Sequence, residues 1–169
     1  MNQSAEQIIR QYDLSAHPEG GFYREIYRSP LDVSFLRPGA SSTVMRSAST
    51  FIYFLLRRGD RSHLHRIGSD ELWHFYLGGP LKVSMISDEG RLTETILGTN
   101  PDRQQSLHLM VPAGVWFGAE PLDESDYSLV GCTVAPGFDF QDFELAKYAE
   151  LRTTYPHLEG ELKTLCLPE

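Results

Sequence analysis

Apolar and polar residues alternate along much of the chain, and this alternation predicts short β-strands. Residues 22–29 give the clearest case, because alternate residues of an extended strand point to opposite faces. One face would carry Phe22, Arg24, Ile26 and Arg28, and the other would carry Tyr23, Glu25 and Tyr27. The same pattern predicts further strands at 46–56, 62–67, 71–77, 81–87, 92–97, 106–111, 115–119 and 127–134.

Turn-forming residues separate these strands, at 58–60, 68–70, 78–80, 88–90, 100–102, 112–114 and 123–125. Residues 30–42 are predicted to form a loop with a turn at Pro38 and Gly39. Helices are predicted at the two ends: one capped by Ser4 and ending near Leu14, one over 140–151, and a short piece ending near Leu165. Many short strands joined by tight turns are typical of a β-sandwich or barrel.

Composition narrows the class of protein. The 169 residues suit a single domain, 1–169, and 41% hydrophobic residues suit a folded chain. A net charge of −8 argues against nucleic acid as a partner. The longest apolar stretch, 51–56, is too short to span a membrane, and residues 1–11 lack a signal-peptide core, so we expect a cytoplasmic protein.

The candidate chemistry lies in residues 62–78. His63 and His65 are two apart on a predicted strand, which places both imidazoles on one face. Glu71 opens the next strand and can lie across from them. Two imidazoles and a carboxylate can hold a divalent metal ion. Without a metal, the same groups can transfer protons. The residues leave both interpretations open.

The order of these residues resembles the cupin superfamily. Its first motif is an H-x-H pair followed by a glutamate and then, after six residues, by a glycine. Glu71 and Gly78 match the glutamate and the glycine, although the gap between His65 and Glu71 is longer than usual. Its second motif begins with P-x-G, matched by 112–114. The histidine expected three residues later is Phe117, so the usual fourth metal ligand is missing, and His108 is the candidate to replace it.

A closer resemblance is to a small cupin subfamily whose conserved blocks are spread over most of the chain. They are HPEGGFYREIYRS at 17–29, the block at 62–76, VPAGVWF at 111–117 and LVGCTVAPGFDFQDFELA at 129–146. The subfamily resembles the dTDP-sugar epimerases in fold. The resemblance implies an all-β, double-stranded β-helix (jelly-roll) barrel with short N- and C-terminal helices.

Further side chains are candidates for a ligand pocket. Arg24 and Arg28 share a predicted strand face and could clamp a phosphate or carboxylate, or form surface salt bridges. The other candidates are Tyr23, Tyr27, Trp73, Phe75 and His108. His74 has the opposite parity to Glu71 and is expected outside the site, and His17 is expected to make only a structural hydrogen bond. Cys132 is expected to be a small buried hydrophobe.

Three functions compete at this stage. The first is an isomerase or epimerase acting on a sugar nucleotide, with His63 or His65 as the base, Glu71 orienting it, and Arg24 or Arg28 on a phosphate. The second is a non-catalytic protein that binds a small metabolite. The third is a metal-dependent oxygenase or isomerase using His63, His65, Glu71 and His108.

The predicted strand at 22–29 also favours a homodimer, because an exposed strand edge can pair with the sheet of a second copy.

Overall fold

Two antiparallel β-sheets face each other and enclose the interior of the protein. The structure is a computed structural model that describes residues 3–37, 39–122 and 126–168. The predicted turn at 123–125 and Pro38 lie outside the described residues.

The helices and strands follow one another in chain order. They are α1 (Ala5–Tyr12), β1 (Ser15–Ala16), β2 (Phe22–Arg28), β3 (Asp32–Phe35), β4 (Val44–Ser47), β5 (Thr50–Arg57), β6 (Ser62–Arg66), β7 (Asp70–Gly78), β8 (Leu81–Ile86), β9 (Leu92–Leu97), β10 (His108–Val111), β11 (Trp116–Pro121), β12 (Tyr127–Ala135), β13 (Glu144–Leu145), α2 (Tyr148–Thr154) and α3 (Glu159–Leu165). Short 3-10 turns lie at Pro101–Arg103, Phe140–Asp142 and Pro156–Leu158.

The strand order confirms the predicted jelly-roll barrel. The first sheet has the order β1-β2-β5-β12-β7-β10, and the second has the order β13-β6-β11-β8-β9. Strands that are distant in sequence are therefore neighbours, as β5, β12 and β7 show. Strands β3 and β4 form a separate hairpin. No helix of the described residues is long and apolar enough to cross a membrane.

Apolar side chains fill the space between the sheets. Phe54, Trp73 and Phe117 are the largest fully buried side chains there. Helices α2 and α3 cover the outer face of the second sheet, where Leu64 and Ile86 pack against them. Helix α1 packs against Leu55 and Leu129 through Ile8, and its predicted capping box of Ser4 and Gln7 is confirmed.

Two predicted elements are wrong. The expected helix over 140–151 is a 3-10 turn at Phe140–Asp142 followed by β13, and α2 begins only at Tyr148. The backbone of β13 pairs instead with β6, where Glu144 stands opposite Arg66 and Leu145 opposite His65. The expected loop at 30–42 contains β3, because the alternation of 32–35 pairs with β4, and the strand predicted at 46–56 is divided between β4 and β5.

The β-bulges in β2 and β6 change which of the candidate side chains face the interior. In β2, Glu25 pairs with Ile52 and Tyr27 pairs with Phe51, so Ile26 is an extra residue. In β6, Ser62 pairs with Ala119 and His65 pairs with Phe117, so two residues, 63 and 64, stand opposite Gly118. Across a bulge, the alternation of side chains between the two faces of the sheet is interrupted. Residues two apart in the sequence therefore no longer point to the same face there.

We expect Gly118→Ala to destabilise the protein, because a Cβ at this position would lie 2.7 Å from the backbone oxygen of Ser62 in the bulge. The cost should be about 1–3 kcal/mol, as for other overpacked sites. Gly160→Ala is the control: it lies in α3, nothing is within 4 Å of its added Cβ, and it should stabilise the protein by roughly 0.5–1 kcal/mol. Urea unfolding of both variants measures the difference. Equal effects would contradict a bulge that depends on Gly118.

The homodimer stays a prediction. Strand β1 pairs with β2 only at Phe22 and Tyr23, so among the described strands the outer edge of 24–28 is unpaired. We expect sedimentation equilibrium to give twice the 19.1 kDa chain mass at micromolar concentration. Ile26→Lys should shift the equilibrium to monomer, because a charge on an exposed edge opposes strand pairing. A wild-type protein that stays monomeric would contradict the prediction.

Candidate active site

A cavity of about 280 Å³ opens between the two sheets. Its wall is mostly apolar and is formed by Tyr23, Ile52, Phe54, Ile67, Trp73 and Val134. Four ionisable side chains, His17, Glu19, His65 and Glu71, reach the enclosed part of it. Glu25, Arg28, Asp139 and Phe140 line its solvent-exposed end, which we call the cavity mouth.

A glycine-rich loop brings His17 and Glu19 to the cavity. Gly20 and Gly21 both have positive φ, at 108° and 73°, which glycine adopts without strain. Any Cβ on Gly20 would lie 2.1 Å from the backbone oxygen of Arg61. The loop can therefore pack directly onto the start of β6, and the Glu19 side chain enters the interior.

Glu19 is buried and has three polar neighbours. The Ser62 hydroxyl donates to Oε1 at 2.7 Å. Nε2 of His65 is 3.1 Å from Oε2, and Nδ1 of His17 is 3.4 Å from the same oxygen. Burial raises the pKa of Glu19 well above its usual value, and the charge of Glu71 raises it further, although the Ser62 hydrogen bond opposes this.

The hydrogen-bond partners determine where the protons are. Nδ1 of His65 is 2.8 Å from the carbonyl oxygen of His63, which can only accept, so Nδ1 carries a proton. Burial lowers the pKa of His65 to about 3, so its Nε2 has a free lone pair. Burial raises the pKa of Glu19 and so favours its protonated form, whose Oε2 is then the donor to Nε2 at 3.1 Å. Glu19 and His65 therefore share one proton inside the barrel.

His17 is neutral for a similar reason. The backbone N–H of Glu19 donates to its Nδ1 at 3.3 Å, which leaves the ring proton on Nε2. Burial lowers the pKa of His17 to about 4. The ring packs edge-on against Tyr23, with 4.6 Å between ring centroids, so it is held in place by both contacts.

Glu71 lies on the opposite wall, on the first sheet. Burial raises its pKa to about 7, and the nearby Trp73 indole and Cys132 thiol partly offset this rise. The Trp73 Nε1–H is close enough to lower the pKa of Glu71, but no acceptor among the described residues is in hydrogen-bonding geometry with this buried nitrogen. Cys132 also lines the cavity, where its thiol contacts a carboxyl group as well as apolar neighbours.

The structure brings His65 and Glu71 together but separates His63 from them. The prediction that His63 and His65 share a face is wrong, because His63 is part of the β6 bulge. Ser62, not His63, points into the interior on the same side as His65, where it donates to Glu19. His63 instead donates from Nδ1 to the carbonyl oxygen of Glu19 at 2.8 Å, and its backbone N–H donates to the same oxygen at 2.9 Å. It fixes the position of Glu19.

The β2 bulge separates the two arginines. Tyr23, Glu25 and Arg28 line the cavity, whereas Arg24 turns away and donates to the carbonyl oxygen of Tyr12. The predicted pairing of Arg24 with Arg28 is therefore wrong. Tyr27 is half exposed and is not among the lining residues.

The remaining predicted pocket residues divide in the same way. Trp73 lines the cavity, and Phe75 is buried in the core beside it without reaching the lining. His108 is exposed on β10, opposite His74, so neither residue reaches the cavity. His74 was expected outside the site, and this prediction is confirmed.

The residues do not fit the metal centre that the resemblance implied. Phe117 packs against the His65 ring, with 4.1 Å between ring centroids, and His63 points elsewhere. Within 3–37, 39–122 and 126–168, no group of three or more His, Cys, Asp or Glu side chains is arranged to hold a metal ion. Nε2 of His65, the nitrogen available for a ligand, already faces Glu19.

A short segment after β12 closes one side of the cavity. Phe138, Asp139 and Phe140 belong to the lining. The segment is fixed by Asp142, whose carboxylate accepts two hydrogen bonds from Arg46, at 2.6 and 2.9 Å, and one from Arg37 at 3.0 Å. The Asp142 and Arg46 side chains are buried, so this bidentate pair anchors the aromatic wall firmly.

Sequence reasoning missed His17, Glu19 and Ser62. The available signal was the pair of glycines at 20–21 directly after His17 and Glu19, since paired glycines often mark a close approach of two backbones. The bulge that turns Ser62 toward Glu19 had no comparable signal beyond Gly118.

Known proteins share this architecture over nearly the whole chain. A hypothetical protein from Leishmania major is 34% identical with a TM-score of 0.90, and the match covers 98% of this chain and 100% of that chain. A protein from Shewanella oneidensis is 40% identical with a TM-score of 0.87, covering 99% and 100%. An uncharacterized protein from Saccharomyces cerevisiae is 27% identical over 98% of this chain and 82% of its own length.

A more distant match shows the fold alone. Oxalate decarboxylase from Bacillus subtilis is 16% identical with a TM-score of 0.55, covering 94% of this chain and 39% of that chain. The predicted resemblance to dTDP-sugar epimerases stays a prediction. Residues 6–146 match the family model described as "Cupin superfamily (DUF985)". The chain also has the jelly-roll barrel, one H-x-H block and one P-x-G block, and it belongs to this cupin family.

Proposed function

We propose that the protein is an isomerase- or epimerase-type enzyme that moves a carbon-bound proton of a small carbonyl compound by acid–base catalysis. The observation that supports this most directly is the pairing of a buried carboxyl group with a buried imidazole, Glu19 and His65, opposite a second buried carboxyl group, Glu71. Buried ionisable groups with strongly shifted pKa values in a cavity are characteristic of functional sites.

Glu71 is the base in this proposal. Its pKa of about 7 leaves a substantial fraction ionised at neutral pH, which suits a general base. His65 is a poor base because burial lowers its pKa to about 3 and its Nε2 is occupied by Glu19. The role we infer for Glu71 thus replaces the orienting role expected from the sequence.

The proton transfer balances with the groups present. The Glu71 carboxylate takes a proton from the carbon next to the carbonyl, and the C–H electron pair moves into an enolate. The enolate carbon then takes the proton of Glu19 from the opposite side, which inverts the configuration at that carbon and restores the carbonyl group. Glu71 and Glu19 afterwards return to their starting states by exchanging one proton through water.

A hydrogen-bond donor is also available for the enolate. The Trp73 Nε1–H is buried and has no acceptor in hydrogen-bonding geometry among the described residues. Donors fixed in a dry cavity stabilise developing negative charge strongly, because they need no reorganisation during the reaction. Trp73 is therefore the group we assign to the carbonyl oxygen.

We expect the enzyme to exchange a carbon-bound proton of its substrate with heavy water. Proton NMR measures this exchange for a panel of compounds: hydroxyacetone, dihydroxyacetone, cyclohexanone, free aldoses and ketoses, and sugar nucleotides. Glu71→Gln keeps the size of the side chain but removes the base, so exchange should fall by roughly 100-fold or more. His108→Gln is the control, because His108 is exposed outside the cavity, and it should exchange at the wild-type rate.

Glu19→Gln separates the two proton transfers. Its amide can still donate to His65, but it cannot give a proton to carbon. Exchange through Glu71 should therefore persist while net isomerisation is lost. Binding of a panel compound without any exchange would contradict the enzyme and support the alternative of a non-catalytic binding protein.

Stability should also report the shifted pKa of Glu71. Because its folded pKa of about 7 lies above the usual 4.5, the folded state retains a proton that the unfolded chain releases between these pH values. The contribution of Glu71 to the free energy of unfolding therefore falls as pH rises through that window, by ~1.4 kcal/mol for each unit by which its pKa is raised. The two histidines with lowered pKa act in the opposite direction, so the comparison must be between variants.

Glu71→Gln should gain stability relative to wild type between pH 4.5 and 7, and the difference should level off above pH 7. Urea unfolding of the two proteins across this range measures it. A difference that does not change with pH would show that Glu71 has an ordinary pKa in the folded state.

A further inference from the structure

We infer that the cavity takes an uncharged compound about the size of a single ring, whose carbonyl oxygen accepts a hydrogen bond from Trp73. The inference rests on the proposed function in one respect, because the carbonyl oxygen is the acceptor that the proton transfer requires. It departs from the sequence-based expectation of a sugar nucleotide held by two arginines.

Size limits the ligand first. The cavity volume of about 280 Å³ is at the small end of small-molecule sites, which span ~300–1,000 Å³. Aromatic rings line it from the first sheet, as Phe54 and Trp73, and from the segment after β12, as Phe138 with Phe140 at the mouth. Such walls favour a flat, compact molecule over an extended one.

Charge limits the ligand next. Arg28 is the only arginine or lysine in the described lining, and it is already engaged. It forms a bidentate pair with Glu25, at 3.1 and 2.7 Å, and donates to the carbonyl oxygen of Phe138 at 3.1 Å. Asp139 adds a second negative charge at the mouth, and its charge is felt at Arg28. An anionic ligand would therefore meet no free positive charge.

The enclosed part of the cavity adds no cation either. His17 and His65 are both buried, their pKa values are lowered to about 4 and about 3, and each ring has a defined partner. Ionised Glu71 would repel a carboxylate or phosphate placed beside it. The donor that lacks a partner among the described residues is the neutral N–H of Trp73, which matches a neutral acceptor.

Three probes of one shape test the inference: benzamide, benzoate and benzamidinium. Benzamide is uncharged and offers a carbonyl oxygen, benzoate is anionic, and benzamidinium is cationic without an acceptor. Isothermal calorimetry at neutral pH should show benzamide binding at least tenfold more tightly than benzoate, which the acidic lining repels, and more tightly than benzamidinium, which offers Trp73 no acceptor. Equal or tighter binding of benzoate, or no binding of benzamide, would overturn the inference.

Two variants assign the effect to named residues. Glu25→Gln releases Arg28 from its ion pair, so the affinity for benzoate should rise several-fold relative to the affinity for benzamide. Trp73→Phe keeps an aromatic ring but removes the donor, so benzamide should bind several-fold more weakly while benzene binding is retained. Benzoate affinity unaffected by Glu25→Gln would show that Arg28 does not set the charge preference.

The outcome is separable from that of the proposed function. Tight benzoate binding together with proton exchange that depends on Glu71 would overturn the ligand class and leave the acid–base enzyme standing. Selective benzamide binding without exchange for any compound would support the ligand class and count against the enzyme. Circular dichroism and thermal unfolding of Trp73→Phe confirm that its barrel is intact before binding is compared.

Discussion

The buried carboxyl group of Glu19 constrains the structure around it. An unpartnered carboxyl group between two sheets would cost several kcal/mol, so its partners must be in place. Ser62 and His65 supply them from one strand, but they can face the same way only because β6 carries a bulge. That bulge requires Gly118 opposite it, and the loop bearing Glu19 requires Gly20 against Arg61.

The same constraint explains the division of labour between two neighbouring histidines. His65 completes the buried pair, and His63 holds the backbone of the loop that delivers Glu19. An imidazole that donates to a backbone carbonyl has a fixed tautomer, which is how both rings acquire a defined role. The H-x-H pair thus serves a carboxyl group here, where the resemblance to other cupins implied a metal ion.

The two-sheet architecture then provides the geometry for chemistry. Glu71 reaches the cavity from the first sheet, His65 reaches it from the second, and Glu19 reaches it from the loop between β1 and β2. The separation leaves space for a small molecule, yet the charge of Glu71 still affects the pKa of Glu19. The Asp142–Arg46 pair keeps the aromatic wall in place by anchoring the segment after β12.

The sequence by itself determined the barrel, most strand positions, the N-terminal cap, and the places of His65, Glu71, Trp73, Tyr23 and Arg28 at the cavity. Alternation and turn residues are local, and they survive wherever a strand is regular. Only the tertiary structure decided that His63 and Arg24 turn away and that His17, Glu19 and Ser62 enter. The physical reason is the bulge: one extra residue reverses every following side chain, and whether it forms depends on the partner strand, which local sequence does not contain.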